Sequence, residues 1–126
     1  MAKRSIQLDW QGYHKYTAEN VQNYAPTGAG VYKIAFKQTD GKLKVRYVGQ
    51  TNDIDRRLNE HLDIDNEQHE CLVERLGKYN AEFSFAEVST QSDRDGAEKA
   101  LYEHYQPTCN DRDAIPNGPD LEINPK

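Results

Sequence analysis

Cysteine is close to absent from this chain: Cys71 and Cys109 are the only two in 126 residues. Two cysteines cannot build the dense cross-linking of a small secreted domain, so a reducing, cytoplasmic setting is the expectation. Long apolar runs are missing too. No stretch approaches the roughly 18 consecutive apolar residues of a membrane helix, so no membrane partner is expected. The opening Met-Ala-Lys-Arg-Ser lacks the apolar segment of a secretory leader. Methionine and tryptophan occur once each and phenylalanine three times, against eight tyrosines, so tyrosine must fill much of the core. Positive charge is short as well: 16 Lys and Arg face 21 Asp and Glu, a net of −5. Unspecific nucleic-acid coats rest on cations meeting phosphates, and that class is excluded.

What charge there is lies segregated. Residues 33–57 hold seven cations against three acids, which leaves −9 for the remainder. Glu60 to Glu74 contains six acids and no Lys or Arg. The acidic stretch reads either as a solvated helix face or as a docking surface, and the whole as a dipolar protein with one basic face.

The length suits one domain. Residues 1–29 read as an arm in which Trp10, Tyr13, Tyr16 and Tyr24 pack on the domain, and Thr17 is placed to cap a short helix before Pro26. Val31 to Lys37 and Leu43 to Val48 alternate as two strands around Asp40-Gly41, a pair that favours a two-residue hairpin turn. That turn would set Gln38 against Leu43, Phe36 against Val45 and Ile34 against Tyr47, with the lysines and Arg46 on the opposite face. Ile54, Leu58 and Leu62 make a helical stripe, with Arg57 and His61 on one flank. Another helix is expected over 67–78, with Cys71 inward, and a third strand over 82–88. Ser92-Asp93-Arg94-Asp95 resembles a capping box for a helix to Tyr105. Residues 111–126, rich in Pro, Asn and Asp, read as a loosely attached tail. The expected fold class is α+β: a short, mostly antiparallel three-stranded sheet flanked by helices.

Two tripeptides stand out, Gly30-Val31-Tyr32 and Tyr47-Val48-Gly49. Gln50-Thr51 follows the second, then Asn52 to Leu58 with Arg57 in a helix, His61 one turn later, Glu98 in a later helix, and Pro107-Thr108-Cys109-Asn110. In that order these residues resemble the GIY-YIG nuclease family over residues 30–110. The resemblance implies a small nuclease domain, and a divalent-metal-dependent endonuclease cutting DNA through a single active site. Its cofactor would be Mg²⁺, with Mn²⁺ able to substitute. It also implies catalytic roles for Tyr32, Tyr47, Arg57, His61 and Glu98, with Glu98 as the metal ligand. Gly30, Gly49 and Asn110 would be structural supports.

Those residue types suit phosphodiester hydrolysis. The reaction needs an activated water, a cation on the phosphate and charge relief for the departing oxygen. One carboxylate is enough for Mg²⁺, which keeps several waters. Arg57 offers a guanidinium fork. A phenol with an ordinary pKa near 10 needs help to lose its proton at neutral pH. Tyr32 is read as the base and Tyr47 as its phosphate-positioning partner, with the reverse left open. Lys33, Lys44, Arg46 and Arg56 are the expected DNA contacts.

Gln50 stands where some relatives place a lysine, which shifts weight onto His61, and no separate DNA-reading module accompanies the domain. Structured or partner-targeted DNA is the expected substrate, with a protein partner or homodimer left open. The alternative is a non-catalytic nucleic-acid-binding or protein-interaction module that retains the nuclease fold.

Overall fold

The computed structural model describes residues 4–63, 70–76, 80–110 and 112–126. The strands are β1 (Arg4–Ser5), β2 (Gln11–Lys15), β3 (Gly30–Lys37), β4 (Leu43–Thr51), β5 (Ala81–Glu87) and β6 (Leu121–Glu122). The helices are α1 (Ala18–Tyr24), α2 (Ile54–Leu62), α3 (Glu70–Leu76) and α4 (Gln91–Tyr105). The sheet is four-stranded rather than three-stranded, in the order β2-β5-β3-β4 with all pairings antiparallel. The fourth strand, β2, comes from the aromatic arm. A separate parallel pair joins β1 to β6. No described helix is long and apolar enough to cross a membrane.

The hairpin differs from the expected register. Gln38 N–H donates to the Lys42 carbonyl at 2.8 Å and Gly41 N–H to the Gln38 carbonyl at 2.9 Å. Thr39-Asp40-Gly41 is thus a three-residue loop with Gly41 at φ +84°, a conformation that glycine adopts without strain. Phe36 consequently faces Lys44, and Ala35 faces Val45. A shift between Ile34 and Ala35 leaves Arg46 unpaired and restores Ile34 opposite Tyr47. Val45 therefore leaves the tyrosine face for the other side of the sheet.

Strand alternation then divides the core in two. Tyr32, Ile34, Phe36, Tyr47, Phe83 and Phe85 share one face with Ile54 and Leu58 of α2 and Leu72 of α3. Val31, Ala35, Val45, Val48 and Ala86 share the other with Ala97 and Leu101 of α4. Thr90 caps α4, accepting from Asp93 N–H, so the helix starts two residues ahead of the Ser92 box. Thr17 caps α1 as expected. Of the helix expected over 67–78, Glu70–Leu76 is helical, and 67–69 and 77–78 lie outside the described residues.

Two sequence expectations need correction. The cysteines are bonded: Cys71 on α3 and Cys109 beyond α4 form a disulfide across 38 positions. The segment beyond residue 111 is not loosely attached where it is described. Leu121 is buried, Asn124 exchanges two 2.7 Å hydrogen bonds with the Leu8 backbone, and the Asn124 carbonyl accepts from Trp10 Nε1.

Candidate active site

Strand β4 is the edge of the sheet, and the sequence-expected residues gather around it from both faces. On the α2 face, Tyr32 is buried to 1% exposure and its Oη lies 2.8 Å from Nε2 of the fully buried His61. The Tyr47 ring stands 6.1 Å from the Tyr32 ring and 5.2 Å, edge-on, from the His61 ring. Asp53 accepts from Arg56 N–H and so caps α2, which sets Arg57 and His61 one turn apart above the tyrosines. Tyr16, at the junction of β2 and α1, donates to the Leu58 carbonyl at 2.6 Å and ties the arm to α2.

Burial holds the Tyr32 phenol well above its ordinary pKa. The neighbouring Tyr47 adds to the rise, the Arg57 charge opposes it, and Tyr16 adds a smaller push. Tyr32 is thus a neutral phenol at neutral pH, in hydrogen-bond contact with His61 Nε2. Arg57 is partly exposed and reaches Glu60 at 3.6 Å, a long surface pair of small net value.

Gly49 is where the Tyr32 ring meets the β4 backbone. A Cβ there would lie 2.5 Å from both Oη and Cζ of Tyr32, so only glycine lets the ring lie flat against β4. Gly30 is equally confined, since a Cβ would meet the Ala86 carbonyl at 2.2 Å. Asn110 clamps the same strand: its side chain accepts from Val48 N–H and donates to the Val48 carbonyl, both at 2.8 Å.

Tyr32, Tyr47, Arg57 and His61 converge, whereas Glu98 belongs to α4 on the opposite face. It approaches β4 at Gln50, the residue directly after Gly49. The Glu98 carboxyl, 9% exposed, is pushed up to about 7 by burial. Its hydrogen bond with Gln50 counters that rise and the Asp95 charge adds to it. Gln50 Nε2 also donates to Asp95 Oδ1, and Gln91 Nε2 to the same oxygen at 2.8 Å. Two carboxylates thus stand one turn apart toward the middle of α4, supported by amides, and among the described residues no cationic side chain forms an ion pair with them. That donor set fits Mg²⁺, which takes one or two carboxylates and keeps its waters. No group of three or more His, Cys, Asp or Glu suited to a metal occurs among the described residues.

Sequence reading missed Asp95. The i, i+3 spacing of Asp95 and Glu98 on one helix was the available signal. Of the four expected DNA contacts, Lys44 and Arg56 are exposed and Arg46 is half-buried, with Nη1 3.4 Å from Thr108 Oγ1. Lys33 departs from expectation. It is 2% exposed, and its ammonium donates to the Pro125 carbonyl at 2.6 Å.

The family model described as the GIY-YIG catalytic domain matches residues 28–112. The chain belongs to the GIY-YIG family. The expected endonuclease acting on phosphodiester bonds stands with that membership. Similar solved structures include the GIY-YIG N-terminal endonuclease domain of UvrC from Thermotoga maritima. A tyrosine-to-phenylalanine mutant of it, bound to its catalytic divalent cation, is 27% identical with a TM-score of 0.55, covering 75% of this chain and 98% of that one. The same domain bound to magnesium is 26% identical with a TM-score of 0.55, covering 74% and 98%. An asparagine-to-alanine mutant of that domain, also bound to its cation, is 27% identical with a TM-score of 0.55, covering 75% and 98%. No curated protein sequence matches the GIY-YIG chain described here.

Proposed function

We propose that the protein is a Mg²⁺-dependent endonuclease that hydrolyses DNA phosphodiester bonds through a single active site straddling β4. The observation that carries this reading is the buried Tyr32 Oη to His61 Nε2 contact of 2.8 Å, with Tyr47 and the Arg57 charge beside it, inside the matched domain.

In this reading His61 takes the Tyr32 proton through the hydrogen bond already in place. The phenolate so formed is stabilised by Arg57 and accepts a proton from the attacking water. Tyr47 positions the scissile phosphate and Arg57 neutralises it. Glu98 would hold the divalent ion, with Asp95 adding negative charge, and Gln50 fixes the carboxylate. Mg²⁺ bound there, with Mn²⁺ able to substitute, would supply charge relief for the departing oxygen. Gln50 takes the place of a lysine cation, so proton removal from Tyr32 falls to His61. Lys44, Arg46 and Arg56 are the cations left to meet the DNA backbone.

The test is a cleavage panel of flaps, forks, single strands and plasmid, in DNA and RNA, with Mg²⁺ or Mn²⁺. The expected result is metal-dependent cutting that Glu98→Ala abolishes with folding intact. A protein that binds these substrates and cuts none sinks the catalytic reading. It would favour the alternative of a binding module that retains the fold, which draws on Tyr32 being almost wholly buried.

A further inference from the structure

Beyond Phe85, the register partner of Tyr32 on β5, a cleft of about 390 Å³ opens where β2 and β5 meet the end of α1. Asp9, Gln11, His14, Tyr24, Phe85 and Glu87 line it. The His14 and Tyr24 rings stack, with centroids 3.9 Å apart and planes within 3° of parallel. His14 also lies 5.6 Å from the Phe83 ring, which backs this aromatic wall from the core. Tyr24 nonetheless leaves 52% of its surface exposed. Asp9 and Glu87 are exposed, and among the described residues neither carboxylate forms a hydrogen bond or an ion pair. No Lys or Arg lines the cleft.

Accessible carboxylates beside ring faces, with no cation to neutralise them, suit a positively charged guest. They repel phosphate, so a nucleic-acid strand is the wrong occupant. Among the described residues Asp9, His14 and Glu87 do not form a group suited to a metal ion. A guanidinium satisfies the whole set: its plane stacks on a ring while its N–H fork meets a carboxylate. Gln11 and His14 belong to β2, the outermost strand of the sheet on this side, exposed at every residue but His14. An outer strand offers main-chain groups to an extended peptide, and a peptide lying there can turn a side chain into the cleft.

We propose that this cleft receives an arginine side chain from an extended segment of a partner protein. The guanidinium stacks on Tyr24 and its fork meets Glu87 and Asp9. The partner then sits one strand away from Tyr32, beside the tyrosine–histidine cluster. This goes beyond the nuclease reading and stands whether or not the chain cuts DNA.

The isotopically labelled full chain is titrated with the peptide acetyl-Thr-Val-Arg-Val-Thr-amide while its amide NMR shifts are followed. Parallel titrations use the same peptide with citrulline in place of arginine, and spermidine. The expected result is saturable shifts at Gln11, His14, Tyr24 and Glu87 with the arginine peptide. Binding should weaken by about tenfold or more with citrulline, in Glu87→Gln and in Tyr24→Ala. Glu103→Gln, which removes the same charge from an exposed position on α4, should bind as the parent does. Should Tyr24→Ala not fold, the exposed Glu87→Gln decides the matter. Silent shifts at the cleft, equal binding of the citrulline peptide, equal weakening in Glu103→Gln, or spermidine binding as tightly at the same residues overturns the proposal. A chain that cuts DNA without binding the peptide loses the cleft and keeps the nuclease reading. One that binds the peptide and cuts nothing keeps the cleft and loses that reading.

Discussion

At the scale of single residues, the Tyr32 hydroxyl is the atom on which the α2 face of the site depends. Tyr32→Phe removes it and with it the 2.8 Å contact to the buried His61 Nε2. Losing one such hydrogen bond costs about 1 kcal/mol. The loss of a positioned proton acceptor lowers rates by about 10²–10⁴-fold. Cleavage should therefore fall by at least about 100-fold while the variant still melts cooperatively, read by a nicking assay beside thermal denaturation. Gly49→Ala reaches the same atom from the backbone side. Its Cβ would sit 2.5 Å from Tyr32 Oη and Cζ, so the ring must move and the His61 contact must break. The expected cost is about 1–3 kcal/mol of overpacking, together with loss of cleavage. Activity near the parent level would show that the ring position does not matter.

Glu98 gives a prediction with a definite sign. Its folded pKa of about 7 lies above the ordinary 4.5. Between those values the unfolded chain has ionised while the native carboxyl keeps its proton, so the native state binds more protons. Without divalent ions, stability should fall as pH rises from about 4.5 to 7 and level off above that, by roughly 3 kcal/mol in all. Glu98→Gln should flatten this part of the profile. Because a divalent ion binds the ionised form, metal-dependent cleavage should rise with pH through about 7, and the midpoint should move lower as Mg²⁺ increases. Denaturant melts at stepped pH with EDTA, with and without the substitution, provide the check. Parallel profiles for the two chains would remove the buried carboxyl as their cause.

At the scale of elements, β4 is an edge strand held by partners from the turn after α4, Asn110 of the closing motif among them. Asn110 pairs with Val48 through both of its amide atoms, and Cys109 N–H donates to the Arg46 carbonyl at 2.8 Å. The Cys71–Cys109 bond then ties this turn to α3. Closing a loop of that span stabilises by about 2–4 kcal/mol in the chain-entropy model. Cys71→Ser, or reductant on the parent, should lower unfolding free energy by about that much in denaturant melts, and coincident curves with and without reductant would mean that the bridge does no such work. Strands β3, β4 and β5 and the helices were readable because alternation and the i, i+4 stripe are local, whereas β1, β2 and β6, in the arm and the C-terminal segment, were not. The hairpin register was not. Asp40-Gly41 serves a two- or a three-residue loop equally well, and the three-residue loop goes with an Arg46 skipped in the ladder five positions past Gly41. That one-residue difference carried Val45 across the sheet.

At the scale of the whole molecule, the sheet is a wall with different chemistry on its two sides, the tyrosine–histidine cluster on one and Glu98 with the buried Lys33 on the other. The motif order groups Tyr32, Tyr47, Arg57 and His61, and two adjacent strands and the helix after them carry all four. It could not show that Glu98 meets the edge strand from the far side, since which face α4 covers is fixed only by packing. Nor could it show that Lys33 is spent on Trp10 and Pro125. Both facts depend on chain outside the motif: β2 extends the sheet, and the Asn124 bonds to Leu8 fasten the C-terminal segment to the N-terminal one. A chain trimmed to residues 30–110 would expose the edge of β5 and strip Leu8, Tyr16 and Leu121, all buried, from the two cores. An uncovered strand edge and lost apolar contacts favour association over folding. The trimmed chain should therefore aggregate or lack a cooperative melt, whereas Asn124→Ala in the full chain should fold with a stability lower by about 1–3 kcal/mol. A trimmed chain that is monomeric and melts cooperatively would show instead that the two ends are dispensable to the nuclease core.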